Sequence, residues 1–279
     1  MSKRIFSISF IVFVLSFSAL SKTVDILVGI EKGWISVEVK GKGGYSEKSI
    51  ILSVKNLRKR KIEIFVPAGL VFTSVDSTEQ DLVVVQERLL AMGKQQRRKF
   101  SLRAMCTQAA HISPDVGSLF RIKGVADAHL KTLADYINQK RSFDDAAQYA
   151  IWAVTDDKRV ENIGDSDLAV FTAQLLGKEI PRYHIVHDQR GRIGRSAFVY
   201  NPSVIKGVFK YKIKKEETVS FGLYDESGLL LEGVFADKIQ KKGGYKFRFR
   251  FEVSNIDPGK YYAKLIGVNG LIDELEVVF

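Results

Sequence analysis

Cys106 is the one thiol in a chain of 279 residues. With no second cysteine there is no internal disulfide. In an oxidising compartment such a thiol persists by burial, by pairing between chains or by commitment to covalent chemistry. Its plainest role is that of a small buried hydrophobe. Farther along, Gln148 and Trp152 stand four residues apart in a predicted helix and so share one face. Asp144 and Asp145 precede them. These two acids and His111 are the candidate acid–base helpers, because a thiol reacts through a lowered pKa or beside a base. His184, His187 and Asp188 carry metal-ligand chemistry, but the run 183–186 looks extended, which sends the two imidazoles to opposite faces. No metal site is expected there. Asp76, Glu79 and Asp81 read as solvated carboxylates near a turn. No Ser/His/Asp order with a nucleophile elbow and no phosphate-binding glycine loop appears. The chain is therefore not expected to be an enzyme or to need a cofactor.

The elements that would hold these residues are mostly strands. Short apolar runs at 25–30, 34–40, 49–55, 61–66, 81–86 and 99–105 alternate with turn signals at 41–44, 56–59, 67–69 and 92–94. This spacing predicts a β-sandwich or barrel-like domain. In 49–55 the alternation assigns Leu52 and Val54 to one face. Beyond Cys106 the character changes. Leu130, Leu133, Ala134 and Ile137 have the period of one helical face. Ser142 is the expected N-cap of the next helix, with Asp144 and Asp145 in its first turn. A third helix, 167–176, closes at Gly177. The expected fold is mainly β with a helical segment: an N-terminal β-sandwich over 22–180 with helices at about 126–176, a linker at 181–202, and an immunoglobulin-like β-sandwich over 203–279. In 245–251, rings alternate with Lys246, Arg248 and Arg250, the pattern of a half-buried strand.

Two stretches carry a family resemblance. Ala104-Met105-Cys106-Thr107-Gln108-Ala109, and Gln148-Tyr149-Ala150-Ile151-Trp152 within the later helix, resemble the paired motifs of the cysteine–glutamine thioester domains of bacterial surface adhesins. The resemblance spans about residues 104–156. It implies an internal thioester between Cys106 and Gln148, with Trp152 as the aromatic of the second motif and Asp144, Asp145 and His111 in support. It implies capture of a nucleophile, typically a lysine amine on a host protein, once and without turnover. The alternative is a non-covalent structural or interaction protein of the bacterial envelope with an inert buried cysteine.

The C-terminal part resembles immunoglobulin-like and fibronectin type III-like modules of exported bacterial proteins, and also the C-terminal domains of type IX secretion substrates. The carriers are Leu223-Tyr224-Asp225 with Gly228, Gly243-Gly244-Tyr245, and Pro258-Gly259-Lys260-Tyr261-Tyr262 followed by Asn269-Gly270. The last residues, Glu276-Val277-Val278-Phe279, lack a basic tail, so an accessory module is favoured over a sorting signal.

Residues 1–21 read as a cleaved export signal. Lys3 and Arg4 precede an apolar run at 5–20, too short to span a bilayer, and Ala19 and Ser21 precede the cut. The protein is then secreted or held in the cell envelope, in the periplasm or on the outer surface, and is not an integral membrane protein after cleavage. The formal net charge is +11, or +9 (41 basic against 32 acidic side chains) once Lys3 and Arg4 are removed. Such charge suits acidic surfaces. The expected partner is a protein or glycan ligand at the cell surface. Nucleic acid is not expected, since no reading module appears.

Overall fold

A computed structural model describes residues 23–43, 48–188 and 200–279. The export signal lies outside these residues, as does 189–199 of the expected linker.

The fold is mainly β, with several antiparallel sheets and a helical segment mid-chain. Its first departure from expectation comes at once. Residues 25–30 form no continuous strand: β1 stops at Asp25 (Thr23–Asp25) and α1 (Ile26–Glu31) follows. The cause is local. The Asp25 carboxylate accepts the Leu27 N–H at 2.8 Å and caps the helix start, overriding the strand preference of Ile26 and Val28.

The chain then runs through β2 (Ile35–Lys42), β3 (Ile50–Asn56), β4 (Ile62–Val66), β5 (Leu70–Ser74), β6 (Leu82–Val84), β7 (Arg88–Met92), β8 (Arg97–Leu102), β9 (Ala104–Cys106) and β10 (Val116–Val125). A three-stranded sheet has the order β1-β4-β7, and a seven-stranded sheet the order β8-β3-β2-β10-β5-β6-β9. The run 99–105, expected as one strand, is divided at Arg103. That division shapes the domain. β8 is one edge of the large sheet and β9 the other, yet only Arg103 separates Leu102 from Ala104. Consecutive Cα atoms lie about 3.8 Å apart, so the two edges must meet and the sheet rolls nearly closed. The Ser49 hydroxyl, just ahead of β3, donates to the Ala104 carbonyl at 2.7 Å across the seam.

Inside, Leu52, Ile64, Phe72, Leu82 and Leu90 are fully buried in one core, and Leu133, Ile137, Ile151 and Trp152 of the helices belong to it. α2 (Ala128–Lys140) buries Leu130, Leu133, Ala134 and Ile137, as their period requires. α3 (Asp145–Thr155) is capped by Asp144, whose carboxylate accepts the Ala147 N–H, and not by Ser142. α4 (Ser166–Leu175) is capped by Asp165, and Gly177 follows it with φ +64°. Among the described residues no helix is long and apolar enough to cross a membrane.

Residues 181–202, expected as a linker, supply β11 (Tyr183–His187), the first strand of the C-terminal sandwich. It pairs with β12 (Pro202–Ile213), and the chain continues through β13 (Glu217–Tyr224), β14 (Leu230–Gln240), β15 (Gly243–Glu252), β16 (Lys260–Gly267) and β17 (Gly270–Val278). The sheets are β11-β12-β15 and β14-β13-β16-β17. The fourth strand stays with its hairpin neighbour β13, whereas in a constant-type immunoglobulin domain it joins the first sheet. Phe221 of the second sheet sits among rings of the first, 4.7 Å from Phe209 and 4.8 Å from Phe247. The rings of the 245–251 alternation thus point into a shared core.

Candidate functional site: the Cys106–Gln148 contact

Cys106 ends β9 at the rim of the rolled sheet. In an antiparallel edge strand, alternate residues aim their backbone groups at the partner strand or away from it. Thr107 donates its N–H inward, to the Asp81 carbonyl at 2.9 Å. Cys106 therefore faces outward, and its N–H and C=O would be bare at the rim.

Gln148 fills that position. Its Oε1 accepts the Cys106 N–H at 3.0 Å, and its Nε2 donates to the Cys106 carbonyl at 2.8 Å. The carboxamide copies a peptide group and extends the sheet by one unit. Both residues are buried, at 0% and 1% exposure.

The sequence around Gln148 explains how a helix comes so close. Ala147 and Ala150 are buried beside it, and such short side chains let α3 lie against β9. Residues 147–153 are all buried, so this helix is enclosed on every side. Trp152 is 1% exposed and meets Tyr149 edge to face, with ring centroids 5.6 Å apart. Tyr149 in turn stacks on His187 of β11 at 4.6 Å. Enclosure pushes the Cys106 thiol pKa well above its ordinary value, because burial penalises the thiolate.

The other residues singled out in the sequence hold the frame. Asp144 caps α3 one turn before Gln148, and Asp145 lies in the first turn. The His111 ring Nδ1 is 3.4 Å from the Glu79 carbonyl. Among the described residues, no hydrogen bond joins Asp144 or His111 to the thiol or to the Gln148 carboxamide. The Asp81 carboxylate accepts the Ser74 N–H at 3.0 Å, Glu79 accepts from the Ser74 hydroxyl, and Asp76 caps Thr78. His184 and His187 have different neighbours: His184 faces Lys206 on β12, while His187 is 3.4 Å from Asn162. Among the described residues, no three His, Cys, Asp or Glu side chains are grouped to hold a metal ion.

Two residues missed by sequence reasoning secure the loop beyond Cys106. Asp156 accepts the Ala109 N–H at 2.7 Å, tying the end of α3 to that loop. Gln108 accepts the Asp81 N–H at 2.6 Å and the Thr107 hydroxyl at 3.0 Å. Asp156 had a signal: an acid at a helix C-terminus opposes the helix dipole, which implies another use for it. The chain matches no protein-family model and no curated protein.

Proposed function

We propose that this is an exported attachment protein that captures an amine through an internal thioester between Cys106 and Gln148. One observation carries the reading. Residues 42 apart in sequence are held in direct contact by two hydrogen bonds inside a closed core. The bonds are to the Cys106 backbone, and a thiol held beside the same carboxamide would gain an effective concentration worth roughly 7–11 kcal/mol at best.

The chemistry balances without a co-reactant. The Cys106 sulfur attacks the Gln148 carboxamide carbon, a C–S bond forms, and the C–N bond breaks. The thiol proton leaves with the nitrogen as ammonia. Because burial disfavours the thiolate, that proton must move in step with the attack. The Cys106 N–H already donates to Oε1, the oxygen on which negative charge gathers. The Cys106 carbonyl orients the departing nitrogen. An incoming amine then attacks the same carbon, forms an amide and returns the thiol.

The experiment is the intact mass of the purified protein, with and without methylamine. The expected mass is one ammonia below that of the open chain, rising by one methylamine on treatment. Cys106→Ala and Gln148→Ala each abolish both changes. An unaltered mass, with a thiol that alkylates only after unfolding, rejects covalent capture.

A second reading rests on the same contact. The intact carboxamide completes the β9 rim as a peptide group would, which suits an envelope interaction protein with an inert cysteine. The unaltered mass is its prediction.

A further inference from the structure

Between the helical layer and the C-terminal sandwich lies a cleft of about 760 Å3. One wall is residues 164–166, at the start of α4. The other is the outer face of the β11-β12-β15 sheet. The register of that face is unusual. Lys206 stands opposite Arg250, and Lys210 opposite Lys246, with Arg248 between them across from Val208. Like charges directly opposite each other weaken a sheet. The strands could carry alternating signs and do not.

The acids nearby are otherwise engaged. Asp165 spends its carboxylate on the Leu168 N–H, and Glu252 pairs with Arg250 at 2.8 Å. Among the described residues, no ion pair engages Lys206, Lys210 or Arg248. Gly207 keeps this wall tight: a Cβ there would lie 2.6 Å from the Phe249 ring and 2.7 Å from the Arg182 carbonyl. The rings between the cations, Phe209, Phe249 and Phe251, are buried in the sandwich core.

We infer that this cleft binds an extended anionic polysaccharide bearing carboxylates or sulfates. Cations spaced at about 5 Å across the strands and about 7 Å along them, two residues at a time, match a polymer with repeated charges better than one compact ion. Inward-turned rings leave no platform for stacking bases, which single-stranded nucleic acid requires. A cleft walled by α4 admits a thin chain and not a flat lipid surface. The inference is independent of the thioester, since none of these residues touches Cys106 or Gln148.

The test is binding of fluorescein-labelled heparin and polygalacturonate, measured by anisotropy, with neutral dextran and oligo(dT) for comparison. The key variant is Lys206→Gln/Lys210→Gln/Arg248→Gln. Its control, Lys55→Gln/Lys59→Gln/Lys61→Gln, removes the same charge from the first domain. Binding to at least one acidic glycan is expected, weakened roughly tenfold or more in the cleft variant and little in the control, on the scale of three exposed charge pairs. Preference for heparin or for polygalacturonate identifies sulfate or carboxylate as the group read. Equal loss in both variants, equal binding of dextran, tighter binding of oligo(dT), or no glycan binding would each overturn the inference. If the triple variant fails to fold, Lys210→Gln alone must still weaken binding more than Lys59→Gln does.

Discussion

The carboxamide of Gln148 lies along the rim of β9 and satisfies both backbone groups of Cys106, accepting at 3.0 Å and donating at 2.8 Å. A single side chain on α3 thus does what a neighbouring strand would do. It fixes where the helix meets the sheet and, in the same contact, ties Gln148 to the backbone of Cys106.

Gln148→Ala leaves a buried N–H and a buried C=O unpaired. Each such group costs about 1–3 kcal/mol, so a loss of roughly 2–6 kcal/mol in urea unfolding is expected. Gln148→Glu separates the two bonds. The carboxylate can accept from the Cys106 N–H but repels its carbonyl, and only the protonated acid can serve both. The folded state therefore raises the pKa of the introduced carboxyl above its unfolded value of about 4.3. Stability is retained below that value and lost as pH rises through the folded pKa. A variant that is no more stable at pH 4 than at pH 7, relative to wild type, would contradict the paired geometry.

The thiol gives a second pH test. Burial raises the Cys106 pKa, so a free thiol holds its proton more tightly folded than unfolded. Its contribution is whole below the unfolded pKa of about 8.5 and declines above it, by at most about 1.4 kcal/mol per pH unit. A thioester has no such proton. Methylamine-treated protein should lose stability between pH 8.5 and 10 relative to untreated protein, and Cys106→Ala should lack this component. Urea unfolding at the two pH values measures it.

Asp156→Ala removes the carboxylate that accepts the Ala109 N–H. A hydrogen bond to a charged group contributes about 1.5–3 kcal/mol, and removing an acid from a helix C-terminus returns about 0.3–1 kcal/mol. A net loss of about 1–2 kcal/mol is expected, with slower development of the mass deficit in freshly folded protein. Unchanged stability would show that the loop is held by other contacts.

Arg159 joins the two halves of the molecule. Its guanidinium donates to the Tyr183 hydroxyl at 2.8 Å and to the Val278 carbonyl at 3.1 Å. The chain's two tryptophans, Trp34 and Trp152, both lie in the part of the chain before β11. Tryptophan fluorescence therefore follows that part, while far-UV circular dichroism follows both halves. In Arg159→Ala the two transitions should separate, with roughly 1 kcal/mol lost from the coupling. Coincident curves would place the coupling elsewhere.

Where alternation was clean, the sequence was easy to read. In β3, Ile50, Leu52, Val54 and Asn56 turn inward in strict period, and β15 with the second half of β12 follows the same rule. β10 escaped notice because register shifts at Val116/Leu119 and at Ile122/Gly124 break its period. The helix α1 was hidden because Ile26, Leu27 and Val28 resemble a strand, and one carboxylate decides otherwise. At the site, the helix carrying Gln148 and Trp152 and the strand end at Cys106 were both legible. What composition could not reveal is that Cys106 aims its backbone outward. That depends on the parity of a three-residue strand and on the Arg103 crossing that brings the sheet edges together.

The β9 edge of the rolled sheet is met by two side chains, the Ser49 hydroxyl at Ala104 and the Gln148 amide at Cys106. Exposed strand rims invite pairing with another chain. These two small groups therefore guard against self-association. Removing either one leaves a β9 backbone group unpaired and makes 104–106 the stretch that can pair with another chain once α3 lifts away.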